Sequence, residues 1–466
     1  LVEERMRIVI VGNGVAGMEA SRALRAREPQ ASITIVSEES SHFFARTALL
    51  YVLAGQQRMR EIEPLEREQV ARLGLNHVRA RVTRLNGDAR TLSLDDGTLL
   101  PFDRLLIACG SRPNALGVPG DELCGVGHFV TLADLSWLHE ELHLQPIDEV
   151  DVRARDATQD SPYARRESAA RRRGRVAQTL AVIGGGLIGI EAVEAALAAR
   201  RRVHFFVREE WYWPMAIDAR ESAWIARELG QHGCHVHIAT RVSSLAGENG
   251  VVSAVVSVGA DEKPMTTACD AVVVAVGVRP NTRWLSDSGL ALDERGGIVV
   301  DETLSASLDG VFAAGDCASV PQATGQHGVE QLWYTARDQG RVAARSMLGD
   351  DDARYRRGVW YNSAKLMDIE FTTVGRLGKS APAAREWYFE ETGRVRSTWR
   401  VVDEDGAVVG VNVLGRRVDH EVLIRFIEER RSPREVVERL GEAAFDTEFV
   451  PRLKIPRDRF PDAGRR

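Results

Sequence analysis

Two trios of glycines carry the first chemical signal. Gly12, Gly14 and Gly17 recur at one offset as Gly184, Gly186 and Gly189. Each trio follows an apolar run, Arg7-Ile8-Val9-Ile10-Val11 in one case and Leu180-Ala181-Val182-Ile183 in the other. Each precedes a helical pattern, from Met18 to Arg27 and from Ile190 to Ala199. In a strand-turn-helix of this spacing the first glycine makes the tight turn, the second lets backbone approach a pyrophosphate, and the third lets helix pack on strand. The helix start, here with Val15 and Ala16 or Leu187 and Ile188, presents N–H groups and a positive dipole end to the phosphates. One such motif is weak; two copies in the same setting predict two dinucleotide-binding units.

A second repeat supports the first. Leu105-Leu106-Ile107-Ala108-Cys109-Gly110-Ser111-Arg112-Pro113-Asn114 parallels Val272-Val273-Val274-Ala275-Val276-Gly277-Val278-Arg279-Pro280-Asn281. A ribose-reading acid belongs about 20 residues past the glycines, at the next strand end. In the first copy Ile33-Thr34-Ile35-Val36 is that strand, and Glu38 or Glu39 follows. In the second, Val203-His204-Phe205-Phe206-Val207 ends without an acid and is followed by Arg208. An arginine there suits a 2′-phosphate, hence NADPH. Gly189 and the nearby Glu209 keep NADH open.

These motifs need elements to hold them, and the chain is long enough to supply them. At roughly 150 residues per domain, its 466 residues predict about three domains, with cores large enough to need no disulfide or metal. Its 61 Lys+Arg against 67 Asp+Glu give a net charge of −6, which argues against a general nucleic-acid binder. No apolar run reaches the roughly 18 residues of a membrane span, and the start lacks the pattern of a secretion signal. The five cysteines are odd in number and form no CxxC, so a reduced, cytoplasmic setting is expected. There is no GxSxG or P-loop. His232, His235 and His237 lack the accompanying ligand spacing of a metal site, so none is expected. Residues 151–175 hold eight Arg against four acids, read as a basic insertion that is either a docking patch or a solvated stretch.

Together with Val311-Phe312-Ala313-Ala314-Gly315-Asp316-Cys317, the two repeats resemble the two-dinucleotide-domain flavoprotein reductases over about residues 6 to 350. That family includes ferredoxin and rubredoxin reductases, NADH oxidases and peroxidases, nitrite-reductase flavin subunits and apoptosis-inducing factor. The resemblance implies an α/β fold of two Rossmann-like dinucleotide-binding domains, for FAD and NAD(P), plus a C-terminal α+β domain. The expected boundaries are 1–125 with 282–352 for FAD, 126–281 for NAD(P), and 353–466 for the third domain. The last includes an extra tail, 442–466. The FAD residues it implies are Gly12, Gly14, Val15, Ala16, Gly17, Glu38, Glu39, Arg46, Thr47, Ala108, Gly110, Arg112, Gly315, Asp316, Gln331, Leu332 and Trp333. The last three open a helix whose dipole would face the flavin. For NAD(P) they are Gly184, Gly186, Leu187, Ile188, Gly189, Glu191, Arg208, Val276 and Gly277.

The stretch Ser41 to Gly55 would lie against the flavin. Thiol-dependent relatives carry a cysteine there, but this chain has none before Cys109, and without a thiolate no thiol relay runs on that face. Ferredoxin-type reductases carry Arg-Pro-x-Leu-Ser-Lys. Here Arg46 and Leu49 match, Thr47 replaces Pro, and Tyr51 stands at the Lys position. Lysine is scarce throughout and first occurs at Lys263. Tyr51 is thus either a group acting at the flavin or core beneath it. Trp360 and Trp399, on strand-like runs of the third segment, either line an acceptor route or fill the core.

The expected activity is hydride transfer from a nicotinamide to FAD, with electrons passed to a small redox protein such as ferredoxin or rubredoxin. A quinone or O₂ acceptor, or an interaction role like that of apoptosis-inducing factor, are the alternatives. A homodimer is possible for this family.

Overall fold

In a computed structural model of the chain, which describes residues 5–143, 147, 168–322, 325–378, 384–391 and 396–445, both glycine repeats sit at the ends of buried parallel strands. Most of the basic stretch (151–167) and of the tail (446–466) lies outside the described residues.

The described chain forms two compact units. The first comprises described residues of Leu1–Leu116, Gly127–Val176 and Val276–Arg357. Its central sheet has five strands in the spatial order Val311–Ala313, Arg104–Ile107, Arg7–Val11, Ser32–Val36, Asn76–Val78. All neighbours are parallel, with Ile8 opposite Ile33 and Val9 opposite Leu105. Helices cover such a sheet on both faces, so its strands read as unbroken apolar runs. Ile8, Ile10, Ile33, Ile35, Leu105, Leu106 and Ile107 are all fully buried, each contributing about 1.5–3 kcal/mol over an exposed position.

The second unit comprises described residues of Gly117–Val126, Ala177–Ala275 and Gly358–Arg466. Its main sheet repeats the plan with the parallel neighbours Cys234–His237, Arg202–Phe206, Thr179–Ile183 and Ala271–Val274, and with Val126–Gly127 at the edge. The α+β segment follows as a five-stranded antiparallel sheet in the order Tyr361–Leu366, Ile369–Gly375, Ala407–Leu414, Ser397–Glu404, Arg385–Glu391. The Asp405-Gly406 turn has φ of 51° and 81°, the left-handed pair that a two-residue hairpin requires. Helices His420–Glu428 and Pro433–Arg439 bury Val422, Leu423, Phe426 and Val436 with the sheet's Val401, Val411 and Val413.

Polar burial explains why this α+β sheet shares a unit with 177–275. Arg400, buried in the sheet, donates to the carbonyl of Ala216 and lies 3.4 Å from Glu221, itself buried. Asn412 Nδ2 also donates to Glu221 Oε1 at 2.8 Å. Trp213 stands edge-on to Phe371 at 5.3 Å. Trp399 is a core residue of this sheet, stacked on Phe389 at 5.8 Å, while Trp360 lies 6.5 Å from Trp213.

Four segments fall where the sequence alone does not put them. The glycine-turn helices begin at Val15 and Leu187, three residues before their apolar pattern does, because the turn residues already hold helical geometry. The helix Leu132–His143 belongs to the first unit, tied there through Glu39 and Arg46. Val276 and Gly277 also belong to the first unit, because the repeated Arg-Pro segments pair with each other as an antiparallel ribbon, Arg279 opposite Arg112.

Candidate functional site

The first glycine turn shows one role per glycine. Gly12 has φ 112°, and a Cβ there would stand 2.1 Å from the Ala108 carbonyl oxygen. Its N–H donates to Val36 O at 2.8 Å. A Cβ on Gly17 would stand 2.1 Å from Gly12 O, so helix and turn touch backbone to backbone. At Gly14 a Cβ would meet nothing within 4 Å. Gly14 is the cap of the helix Val15–Arg27 and brings no side-chain bond to it, and the first turn holds no acid. Open ground before bare helix N–H groups is what an anion needs.

The second unit reproduces the pattern. Gly184 has φ 121°, a Cβ on Gly189 would lie 2.1 Å from Gly184 O, and Gly186 again faces nothing within 4 Å. The helix Leu187–Ala198 likewise starts without a side-chain cap or acid. One feature is added: Tyr212, buried, donates its hydroxyl to Gly186 O at 3.4 Å. Half-buried Glu191 follows on this helix, its carboxyl pushed up to about 8 by burial and then by Glu194. At the strand end Val207 is fully buried, and a Cβ on Gly185 would come within 2.6 Å of it. Arg208 projects into solvent and pairs with Glu209 at 2.8 Å.

Around the first turn, residues from distant parts of the sequence converge. Gly315, left-handed at φ 77°, donates its N–H to Gln339 Oε1 at 2.7 Å. Asp316 accepts from Ser111 Oγ at 2.7 Å. Burial raises the Asp316 carboxyl, outweighing Ser111 and Arg46, which lower it. The helix Trp333–Met347 packs on Val15–Arg27 so closely that a Cβ on Gly340 would stand 2.3 Å from Ala16 O. Behind that helix's start, buried Glu330 accepts from the Tyr355 hydroxyl (2.5 Å) and Gln339 Nε2 (3.3 Å) and pairs with Arg357 (2.6 Å). Gln331 and Trp333 are exposed, Leu332 half-buried, and Trp333 lies edge-on to Tyr334 at 5.5 Å.

Of the two acids after the first unit's second strand, Glu39 is committed within the fold. Arg46 donates to it at 2.5 and 3.1 Å, and Leu132 N–H at 2.8 Å. Burial raises its carboxyl, but Arg46 and Leu132 together bring it below the usual range. Arg46 also donates to Val130 O at 2.7 Å. Glu38 and Tyr51 are half-buried and Thr47 exposed, with Tyr51 on the short helix Leu49–Leu53. Ala108 is buried, and Gly110 (φ 69°) and Arg112 continue its chain. Ser111, Leu132, Gln339, Glu330, Tyr355, Arg357 and Tyr212 escape the sequence reading, because no spacing links them to either glycine motif.

Residues 6–340 match the family described as pyridine nucleotide-disulphide oxidoreductase. The chain belongs to that family. It is an FAD-dependent NAD(P)H oxidoreductase. Similar proteins include the ferredoxin reductase component of chlorobenzene dioxygenase from Cupriavidus sp., 28% identical over 343 residues, 73% of this chain and 74% of the relative. The ferredoxin–NAD(+) reductase component of a biphenyl dioxygenase system from Paraburkholderia xenovorans is 30% identical, over 73% of this chain and 74% of its own. Among solved structures, the putidaredoxin reductase of a covalent complex with putidaredoxin has a TM-score of 0.73 at 22% identity, covering 91% of this chain and 93% of its own. An engineered water-forming NADPH oxidase bound to NADPH reaches 0.77 at 20% identity, covering 97% and 96%. These two structures share the oxidoreductase's fold. Among its described residues no helix is long and apolar enough to cross a membrane.

Proposed function

We propose that this oxidoreductase draws electrons from NAD(P)H and passes them to a small redox protein of the ferredoxin or rubredoxin kind. The observation that carries this is the stretch Ser41 to Gly55, which has no cysteine, in a chain whose relatives are named as ferredoxin reductases. Lacking a thiol on that face, the chain runs no thiol or disulfide relay there. When bound, FAD supplies the chemistry, accepting hydride from the nicotinamide and releasing electrons to the acceptor.

The chain's own residues bind and orient. In this reading Gly12, Gly14 and Gly17, with the N–H groups of Val15 and Ala16, hold the FAD pyrophosphate. Asp316, kept in place by Ser111, accepts from a hydroxyl of the cofactor. Glu330, Gln339 and Tyr355 fix the start of the helix Trp333–Met347, whose positive dipole end stabilises charge on the reduced flavin. Gly184, Gly186 and Gly189 hold the nicotinamide dinucleotide. Glu191, protonated below about pH 8, donates a hydrogen bond to it. Val207 in the acid's place and the solvent-facing Arg208 support a preference for NADPH.

Stopped-flow reduction by NADPH and by NADH, followed by turnover with ferredoxin, rubredoxin, quinone and O₂, tests the proposal. Rapid flavin bleaching and turnover with a redox protein are expected. Faster turnover with quinone or O₂ would overturn the acceptor. Slow reduction with no turnover would favour an interaction role instead.

A further inference from the structure

Three imidazoles gather on one face of the second unit's main sheet. The strands Arg202–Phe206 and Cys234–His237 are parallel neighbours, with His204 opposite His235 and Phe206 opposite His237. Alternate residues of a strand share a face, so these four side chains lie together. Phe205 points the other way, where a Cβ on Gly189 would come within 3.3 Å of its ring. His204 Nδ1 and His237 Nε2 stand 3.0 Å apart, with ring centroids 5.3 Å apart and planes inclined by 24°. His235 stacks on His204 at 5.0 Å, and Phe206 on His237 at 4.5 Å, so each ring of the pair is held by a neighbour. Cys234–His237 is an edge strand. His204 and His237 are half-buried and His235 exposed, so the pair opens to solvent. The sequence pattern groups His232 with His235 and His237. In the fold His232 instead ends the helix Ala219–Gln231 beside Glu228, 3.8 Å away, and strand pairing brings in His204.

We propose that His204 Nδ1 and His237 Nε2 form a binding site for a divalent transition-metal ion, Cu(II) above all. Metal–imidazole bonds are about 2.0–2.1 Å long. An ion at that distance from two nitrogens 3.0 Å apart sees them at an angle of roughly 95°. That is the cis angle of a tetragonal site, which suits Cu(II) or Ni(II), and is narrower than the tetrahedral angle of Zn(II). Of these ions Cu(II) holds nitrogen ligands most tightly. A neutral pair shares one proton across the gap. When the ion enters, that proton passes to the other nitrogen of its own ring, and both facing nitrogens present lone pairs. The ion gives up two bound waters in exchange. Among the described residues no group of three or more His, Cys, Asp or Glu is arranged to hold a metal, so water completes the coordination and the site stays open. It lies within the second unit, uses none of the residues assigned to FAD or NAD(P), and does not rest on the proposed function.

The test uses the full untagged chain, freed of metal by a chelator that is then removed. Titration with Cu(II) is followed by electron paramagnetic resonance, and with Ni(II), which does not oxidise thiols, by calorimetry. The parent should bind about one equivalent more than His204→Gln or His237→Gln. The tetragonal signal of Cu(II) held by two imidazoles should be lost in both variants. His139→Gln controls for a rival pair, since the His139 and His143 rings lie 4.5 Å apart, and it should leave that equivalent in place. Should neither variant fold, diethyl pyrocarbonate modification of the parent decides. Ni(II) should shield His204 and His237, read by peptide mapping. Equal stoichiometry in parent and variants, an adventitious ion only, would overturn the proposal. So would His204 and His237 left unshielded, or Zn(II) held more tightly than Ni(II).

Discussion

Single residues separate folding from binding in the glycine turns. Gly12→Ala and Gly17→Ala place a methyl about 2.1 Å from a backbone oxygen, so both should fail to fold or unfold well below the parent. Gly14→Ala meets nothing within 4 Å. It should cost only about 1 kcal/mol as a cap change, read by thermal unfolding of the apoprotein, yet strip FAD from the purified protein. Retention of full FAD by Gly14→Ala would show that the pyrophosphate lies elsewhere. Glu191 sets a pH dependence. Its folded value of about 8 stands above the ordinary 4.5, so the folded state holds a proton that the unfolded state has lost. Stability from this group is therefore full below about pH 4.5 and falls as pH rises toward about 8. Glu191→Gln should raise the melting temperature at about pH 9 and leave it unchanged in acid. In the parent, KM for the nicotinamide should climb as pH passes about 8, a limb the variant loses. Arg208→Glu should lower kcat/KM for NADPH relative to NADH by about 10- to 100-fold, the worth of one charged hydrogen bond. An unchanged ratio would remove the preference for NADPH.

Elements are placed by a few buried polar contacts that tie distant segments together. Arg400 and Glu221 join the antiparallel sheet to the helix Ala219–Gln231. Removing one partner leaves a buried charge, so Arg400→Met should cost about 3–5 kcal/mol in denaturant unfolding. The double change Arg400→Met with Glu221→Leu should recover much of that loss. In the first unit, Gly340 lets the helix Trp333–Met347 lie against Val15–Arg27. Gly340→Val would push into Ala16 O, which a Cβ approaches to 2.3 Å. Overpacking of this kind costs about 1–3 kcal/mol, and weaker FAD retention should accompany it. Both pairings join residues remote in sequence, which is why no periodicity predicts them. The repeated Arg-Pro segments were legible as a repeat, but not their pairing as a ribbon within one unit.

The whole molecule is two nucleotide-binding plans in one chain, each with five strands in its main sheet. No cysteine lies between Ser41 and Gly55, so protein kept under a thiol reductant should take up about two electrons per FAD on anaerobic titration. About four would reveal a second two-electron centre. The same absence predicts that such a preparation turns over a redox protein without thiol-reagent sensitivity arising from that face.

The glycine spacing, the apolar strands and the missing thiol follow from sequence, because each is a local matter of backbone freedom, burial pattern or residue chemistry. The sequence therefore determined two dinucleotide-binding units, an α+β segment after them, and the chemistry excluded from residues 41–55. Only the tertiary structure decided that Glu39 is spent on Arg46 and Leu132, that Gln339 holds Gly315, and that the Tyr212 hydroxyl reaches Gly186 O. Those contacts join segments brought together by sheet order and buried by the core around them, and such partners leave no mark in the spacing of residues along the chain.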